Sequence, residues 1–217
     1  MSGSKVRRAA AIAVGPVLDF ERSKEASADV SSASISASAA FLFALRFAGG
    51  VLLMEHVLSY GHRRIGIISV NPDVNMAIQL RLDGMLSAVD DANLDIEIPM
   101  MDSDFSVKGG AQAARQLLQD HPDLSVIICL NDRMAIGAMS AMQQMGLHIP
   151  DDISVIGYDD IPVAATTQPL LTTINQKPVE LGRAAAEIML KRLNGAKPSN
   201  VVISPVIVTR QSLAAQR

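Results

Sequence analysis

The stretch LSVIICLNDRMAIGAMSAMQQMGLHIPDDISVIGYDD, from Leu124 to Asp160, decides the fold of this chain. It begins with an unbroken apolar run, which is typical of a strand that is covered on both faces. The helical segment DRMAIGAMSAMQQMGLHIP follows directly, and a second strand, DDISVIGY, is entered through an Asp-rich turn. A strand, a helix and a further strand of these lengths predict a βαβ unit with two parallel strands.

The same alternation continues on both sides of that unit. Upstream, the sequence predicts helices over 51–62, 75–94 and 108–122, and strands over 63–70 and 95–101. Downstream, it predicts a helix over 179–195. Elements that alternate in this way imply right-handed crossovers and one parallel sheet. The predicted fold class is therefore α/β, with a parallel sheet flanked by helices.

The residues before Gly49 and Gly50 differ from the rest of the chain in composition. Ala26–Ala40 consists almost entirely of Ala and Ser, and four of the five Phe residues lie in this first part. This part of the chain shows no clear helical or strand periodicity over a long window, apart from a short apolar element over 41–47. We therefore predict a low-complexity segment over 1–48, with disorder as one alternative, and an α/β domain over 49–217.

The composition bounds the class of protein. Of the 217 residues, 49% are hydrophobic and 19% are charged, which suffices for a buried core. The net charge of −3 and the lack of a basic patch argue against a nucleic-acid-binding surface. The single Cys129 excludes an intramolecular disulfide framework and fits a reducing compartment.

Signals for membrane insertion and secretion are weak in the sequence. No apolar run has the length of a membrane span. The start resembles a secretory signal faintly, because Lys5, Arg7 and Arg8 precede a short apolar run, but Gly15 and Pro16 interrupt that run. We therefore expect a cytoplasmic protein without a membrane partner.

Common catalytic signatures are absent from the sequence. It contains none of the patterns G-x-x-x-x-G-K-[ST], G-x-G-x-x-G, H-E-x-x-H and G-x-S-x-G. His56 and His62 are six residues apart across a helix end, which is a poor geometry for two metal ligands, and Cys129 lies mid-strand. The sequence predicts no enzymatic activity, no catalytic residue, no cofactor and no metal site.

Polar side chains follow each predicted strand, and in open α/β sheets the carboxyl ends of the strands line the binding crevice. The residues at these ends are Asn71, Asp73, Asn75, Asp102, Asp104, Phe105, Asn131, Asp132, Asp159 and Asp160, with Arg81 further along one helix. Carboxylates, amides, a guanidinium and an aromatic ring suit a polyhydroxylated or heterocyclic ligand. Helix capping is the alternative, and for Asn131 and Asp132 it has equal weight.

Several stretches together resemble the effector-binding domain of LacI/GalR-type transcriptional regulators. They are EHVLSYGHRRIGIISV, RLDGM, the string from Asn131 to Gln176 with the helix that follows it, and the closing VIVTRQS. The resemblance covers about Gly49 to Ser212. It implies a periplasmic-binding-protein-like domain with flavodoxin-like layering, in which an effector lies between two α/β lobes. This chain corresponds to the C-terminal lobe.

The resemblance also implies which residues bind the effector. Arg81 corresponds to the family's ligand-binding arginine, and Phe105 to an aromatic that stacks on the effector. Asn131 and Asp159 correspond to residues that hydrogen-bond it, and Gln176 to a position at the cleft. The complete predicted set is Arg81, Phe105, Asn131, Asp159, Gln176 and Asn75, the last because of its place at a strand end. The expected effector is a sugar or a purine-like molecule.

The chain also departs from that family. No helix-turn-helix head and no recognisable first lobe precede the matched region. We interpret the chain as a fragment or an engineered single lobe, as the product of a deletion, or as a lobe whose lost part is read out of frame over residues 1–48. DNA would then be bound only through a head domain that is absent here. A fragment of a periplasmic-type solute receptor is the alternative function.

Two further patterns concern contact surfaces. Val179, Gly182, Ala186, Met189 and Leu193 form an apolar stripe on the last helix, which in the family packs on the first lobe. Without that lobe, the stripe must meet the N-terminal segment, another chain or water.

The expected self-association surface is a separate one. The family dimerises partly through the segments that are here Met134–Met145 and Val163–Gln168. The first is rich in Met and Ala, which favours a homodimer surface, and simple burial is the alternative of equal weight.

Overall fold

The computed structural model describes residues 30–71, 75–196, 201 and 203–216. Its helices are α1 (Val30–Ser59), α2 (Met76–Asp91), α3 (Val107–Asp120), α4 (Asp132–Gln144) and α5 (Pro178–Leu193), with a short 3-10 helix over Pro162–Ala165. Its strands are β1 (Ile65–Ser69), β2 (Met100–Asp102), β3 (Val126–Cys129), β4 (Ser154–Ile156), β5 (Thr173–Asn175) and β6 (Val206–Val208). Residues 1–29 and Asp73, which figure in the sequence predictions, lie outside the described residues.

Four strands form a parallel sheet in the order β2-β1-β3-β4. Ile67 of β1 pairs with Met100 of β2 on one side and with Ile128 of β3 on the other, and Ile128 pairs in turn with Ile156 of β4. The connection from β1 leads to β2 at one edge, whereas the later connections lead in the opposite direction to β3 and β4. Right-handed crossovers therefore place α2 on one face and α3 and α4 on the other. α1 packs on α2, and α3 packs on α4. The predicted fold class, a parallel sheet flanked by helices, is confirmed.

Burial separates the central strands from the edge strand. Every residue of β1, β3 and β4 is buried, and for β3 the unbroken apolar run predicts this. In β2 the side chain of Met100 is 54% exposed. The strand predicted over 95–101 forms only at its end, because Pro99 accepts a hydrogen bond from the Ile67 amide but has no N–H to return.

A two-stranded antiparallel ribbon, β5 with β6, continues the structure beyond β4. The amide of Gly157 donates to the Thr172 carbonyl at 2.9 Å, and an isolated bridge joins Ile156 to Thr172. The buried Ser212 hydroxyl accepts from the Thr172 amide at 2.8 Å and donates to the Val155 carbonyl at 2.6 Å. The Thr/Pro-rich segment after β4 is therefore attached beside the main sheet.

Gly49 and Gly50 lie inside α1, where the sequence predicts a change of region. A Cβ on Gly50 would lie 2.0 Å from the Arg81 carbonyl oxygen of α2, and a Cβ on Gly84 of α2 would lie 2.1 Å from the Phe47 carbonyl oxygen. These glycines therefore allow two helix backbones to cross closely. The helix predicted from residue 51 begins at Val30 instead, and it includes the apolar element over 41–47. The division at residue 48 stays a prediction.

The methionines of α4 belong to the chain's own core. Met134 and Met142 are 0% exposed and Met139 is 3% exposed, whereas Met145, at the C-terminal end of the helix, is 44% exposed. Burial, the alternative that the sequence left open, therefore accounts for most of the apolar side chains between Met134 and Met145. These side chains no longer support a self-association surface.

The apolar stripe of α5 is exposed. Val179, Met189 and Leu193 have exposed fractions of 69%, 63% and 77%, and no residue of α5 is buried. The stripe predicted from the sequence is present, but the described residues do not cover it.

Candidate ligand-binding site

The predicted site residues lie along the carboxyl edge of the parallel sheet. Asn75 follows β1, Phe105 follows β2, Asn131 follows β3 and Asp159 follows β4. In the strand order β2-β1-β3-β4, the direction in which successive strands are added to the sheet reverses between β1 and β3. Such a reversal opens a crevice at the carboxyl ends of the two central strands, where ligands bind in open α/β sheets.

Three of the predicted residues are joined by direct contacts. Arg81, on α2, lies with its Nη2 3.6 Å from Asp159 Oδ1, and Gln176 donates from Nε2 to the same oxygen at 2.7 Å. Arg81 also donates from Nη1 to the carbonyl oxygen of Leu130, the residue before Asn131, at 2.7 Å. Arg81 thus connects the end of β3 with the end of β4.

The Arg81 guanidinium is almost completely removed from water. The residue is 5% exposed, and its Cζ lies 3.8 Å from the centroid of the Tyr158 ring. This cation–π contact replaces part of the lost hydration of the charge. Tyr158 was not among the predicted site residues, because an aromatic at the end of an apolar strand looks like any other core residue.

Burial also shifts the acid–base behaviour of this group of side chains. It lowers the pKa of Arg81 and raises the pKa of Asp159, and the attraction between the two charges opposes both shifts. The Asp159 side chain is still 34% exposed. Among the described residues, both contacts of this carboxylate use Oδ1, so Oδ2 is available to accept a hydrogen bond from a ligand.

Asn131 and Phe105 lie together beside this group. Asn131 caps α4, since its Oδ1 accepts from the Met134 amide at 2.7 Å, and its Nδ2 donates to the Phe105 carbonyl at 3.2 Å. Capping, which the sequence left open as an alternative, is therefore its structural role. One hydrogen of Nδ2 remains for a ligand. The Phe105 side chain packs against the core while its backbone adopts a φ of 63°.

Asn75 serves the start of α2. Its Oδ1 accepts from the Ala77 amide at 3.0 Å, which satisfies one of the free N–H groups of the first helical turn. The structure thus places Asn75 at the edge of the sheet but gives it no contact with Arg81, Asp159 or Gln176 among the described residues.

Contacts between charged groups next to the predicted set were not predicted from the sequence. Asp160 pairs with Arg210, whose Nη2 lies 2.7 Å from Asp160 Oδ1. Asp132 is fully buried, and its Oδ2 accepts from the Ile161 amide at 2.8 Å. Burial raises the pKa of Asp132 to about 6. The only signal for Arg210 was its place in the stretch VIVTRQS.

Other kinds of site receive no support from the described part of the chain. Within it, no three His, Cys, Asp or Glu side chains are grouped so that they could hold a metal ion. No helix there is long and apolar enough to cross a membrane. Burial raises the pKa of the Cys129 thiol far above its usual range, which keeps the thiol protonated.

A small polar cavity of about 120 Å³ lies at the opposite edge of the sheet. His62, Ser125 and residues 214–216 are among its lining residues. His62 contacts the Ser125 hydroxyl and the Ala214 carbonyl, each at 2.9 Å. The cavity is separate from the candidate site.

Comparison with known proteins gives one family. The family model described as a periplasmic binding protein-like domain matches residues 54–213. The ribose operon repressor of Haemophilus influenzae is 36% identical over 168 residues, which are 76% of this chain and 50% of the repressor. The HTH-type transcriptional repressor PurR of the same species is 35% identical over 173 residues, 77% and 51% of the two chains. The chain spans about half the length of these curated relatives.

Solved structures agree with these relatives. A LacI family transcriptional regulator from Enterococcus faecium with bound ribose superposes with a TM-score of 0.72 at 30% identity, covering 80% of this chain and 65% of the regulator. A dimeric Lac repressor with a C-terminal deletion gives a TM-score of 0.72 at 29% identity, and the match covers 79% of this chain and 63% of the repressor.

Proposed function

The chain belongs to the family of periplasmic binding protein-like domains, in the form found in LacI-family transcriptional regulators, and we propose that it senses a small-molecule effector for such a regulator. The relatives it matches are repressors rather than enzymes. This supports a binding role, and it favours a regulator over a solute receptor. We place the protein in the cytoplasm, with DNA contacted through a separate head domain.

The observation that carries this proposal is the group formed by Arg81, Asp159 and Gln176 at the carboxyl edge of the sheet. Gln176 and Arg81 both contact Asp159 Oδ1, and within the described part of the chain no group contacts Oδ2. A carboxylate held in this way is a fixed acceptor for ligand hydroxyl or N–H groups. We propose that the remaining predicted residues contribute to the same site: Phe105 as a stacking surface, Asn131 as a donor, and Asn75 at the rim.

We propose a sugar as the effector, with a purine-like molecule as the second class. A sugar offers adjacent hydroxyl groups, which suit one carboxylate oxygen and one amide donor at the same edge. The similarity to a ribose operon repressor and to a regulator with bound ribose supports ribose as the first compound to test. The similarity to PurR supports including purines.

A homodimer remains part of the proposal, although the surface differs from the first expectation. The Val163 side chain is 50% exposed and Met145 is 44% exposed, while the rest of the apolar side chains of Met134–Met145 lie largely inside the domain. We therefore propose that Val163–Gln168, with the exposed end of α4, forms the contact between two copies.

Thermal unfolding against a panel of sugars, nucleosides and purines tests the proposed function. A ligand at about one hundred times its Kd stabilises the folded state by roughly 2.7 kcal/mol. We expect at least one compound to raise the Tm of the parent chain, and Asp159→Ala to abolish that rise. Asp151→Ala, at an exposed turn on the opposite edge, is the matched control and should keep the rise. A panel without any shift would contradict the proposal.

A further inference from the structure

Asp159 and Asp160 have a backbone conformation that residues with a Cβ rarely adopt. Their φ angles are 118° and 55°. Two successive residues in this region are unfavourable, and such a conformation persists only where the surrounding structure holds it. The contacts of Asp160 and its neighbours show what holds it here.

Arg210 is the first of these contacts. Its Nη2 donates to Asp160 Oδ1 at 2.7 Å, and its Nη1 donates to the Leu171 carbonyl at 2.7 Å. Its backbone amide donates to the Thr172 hydroxyl at 2.9 Å. The Arg210 and Asp160 side chains are 16% and 14% exposed, so water screens the pair only partly. One guanidinium thus connects the aspartate to the segment that precedes β5.

Asn175 completes the set. It donates from Nδ2 to Asp160 Oδ2 at 2.7 Å, and its Oδ1 accepts from the Lys177 amide at 2.6 Å. The next residue, Gln176, donates to Asp159 Oδ1. Two consecutive side chains of one segment therefore bind two consecutive aspartates of the other. Both carboxylate oxygens of Asp160 have partners within the chain, whereas none of the residues that the structure describes contacts Asp159 Oδ2.

We propose that Arg210, Asp160 and Asn175 form a positioning clamp that holds the backbone at Asp159–Asp160 so that Asp159 presents its open carboxylate oxygen to the ligand. The clamp rests on the proposed function, because it serves the same site. Of the two adjacent aspartates, Asp159 binds the ligand and Asp160 positions it. Arg210 acts through Asp160 and does not touch the ligand.

Amide hydrogen exchange without ligand is the first test of the clamp. The amides to follow are those of Asp159, which donates to the Ile174 carbonyl, and Ile161, which donates to Asp132. We expect Arg210→Met to speed exchange at both amides by about tenfold, while amides of α3 keep the parent rate. Arg210→Lys should give an intermediate rate, because one ammonium retains the charge but not both hydrogen bonds. Arg183→Met, an exposed charge removal on α5, is the matched control.

Calorimetric titration with D-ribose is the second test. We expect Arg210→Met to weaken binding about tenfold. In a chain that already carries Asp159→Asn, the same substitution should have little effect, since Arg210 acts through Asp160 on the position of Asp159. A purely structural role would lower the Tm without this dependence on Asp159. Parent-like exchange at Asp159 and Ile161, or equal Kd values for Arg210→Met and parent, would overturn the clamp.

The two proposals can fail separately. If the parent chain does not bind D-ribose, the identity proposed for the effector fails, and the exchange rates alone decide on the clamp. If Arg210→Met does not fold, Asn175→Ser takes its place under the same criterion, because it removes only one hydrogen bond from Asp160.

Discussion

The buried carboxyl of Asp132 shows how a single residue couples the site to its surroundings. Its Oδ1 accepts from the Thr173 hydroxyl of β5 at 2.5 Å, and its Oδ2 accepts from the Ile161 amide just after the Asp159–Asp160 pair. Burial raises its pKa to about 6, against the effect of these two hydrogen bonds. Asp132 thus joins the start of α4 to both sides of the candidate site.

This raised pKa predicts how the free energy of unfolding depends on pH. A carboxyl with a raised pKa in the folded state favours folding when protonated, so its contribution is present below its unfolded pKa and is lost as the pH rises through about 6. Between pH 4 and pH 7, we expect the free energy of unfolding of the parent to fall by up to about 3 kcal/mol more than that of Asp132→Asn. Urea unfolding at both pH values measures this difference. Equal pH slopes for the two chains would contradict the assignment.

At the same scale, the sequence predicts the residues of the site better than the contacts that support them. Strand ends are recognisable from local patterns, which gave Asp159 and Arg81, and the resemblance added Gln176; the three are in contact. Asp160 and Arg210 are fifty residues apart, and no local pattern indicates that they pair. Long-range ion pairs depend on the attachment of the ribbon beside β4, which periodicity does not reveal.

Among the helices, the crossing of α1 and α2 depends on glycine. The backbones approach so closely that a Cβ on Gly50 would meet the Arg81 carbonyl oxygen at 2.0 Å. Arg81 is also the centre of the candidate site, so this crossing fixes the position of its backbone. The helix pair is therefore part of what positions the candidate site.

A pair of glycine substitutions tests this crossing. Gly50→Ala should lower the free energy of unfolding by about 3 kcal/mol or more, because neither backbone can move freely away from the new methyl group. Gly182→Ala, in the exposed middle of α5, meets nothing within 4 Å. It should raise the free energy of unfolding by about 0.5–1 kcal/mol. Chemical denaturation of both variants gives the comparison, and equal effects would show that the two helices do not cross this closely.

The elements also show why sequence patterns predict some helices and misplace others. Strands β1 to β4 and helices α2 to α4 follow apolar patterns and were predicted, whereas the short strands β5 and β6 were not. The Ala/Ser-rich stretch has no such periodicity, although Ala favours helix strongly, and the start of α1 at Val30 was missed for that reason. In α5 the periodicity indicates an apolar face, but periodicity does not tell whether a partner covers that face.

At the scale of the whole molecule, the two edges of the sheet differ in what they carry. The carboxyl edge holds the partly open Asp159 beside Arg81 and Gln176. The opposite edge, at the N-terminal ends of the strands, is the amino edge. There His62 contacts Ser125 and Ala214, which lies near the C-terminus. A ligand that binds as proposed should therefore affect one edge of the domain and leave the other unchanged.

Mapping of amide chemical shifts during titration with D-ribose tests the central claim most directly. The proposed site predicts shifts at Asn131, at Asp159 and Asp160, and at Gln176, with the amides of His62, Ser125 and Ala214 unchanged. Shifts confined to the amino edge would contradict effector sensing at the carboxyl edge, and the absence of any shift at a large excess of D-ribose would contradict ribose as the effector.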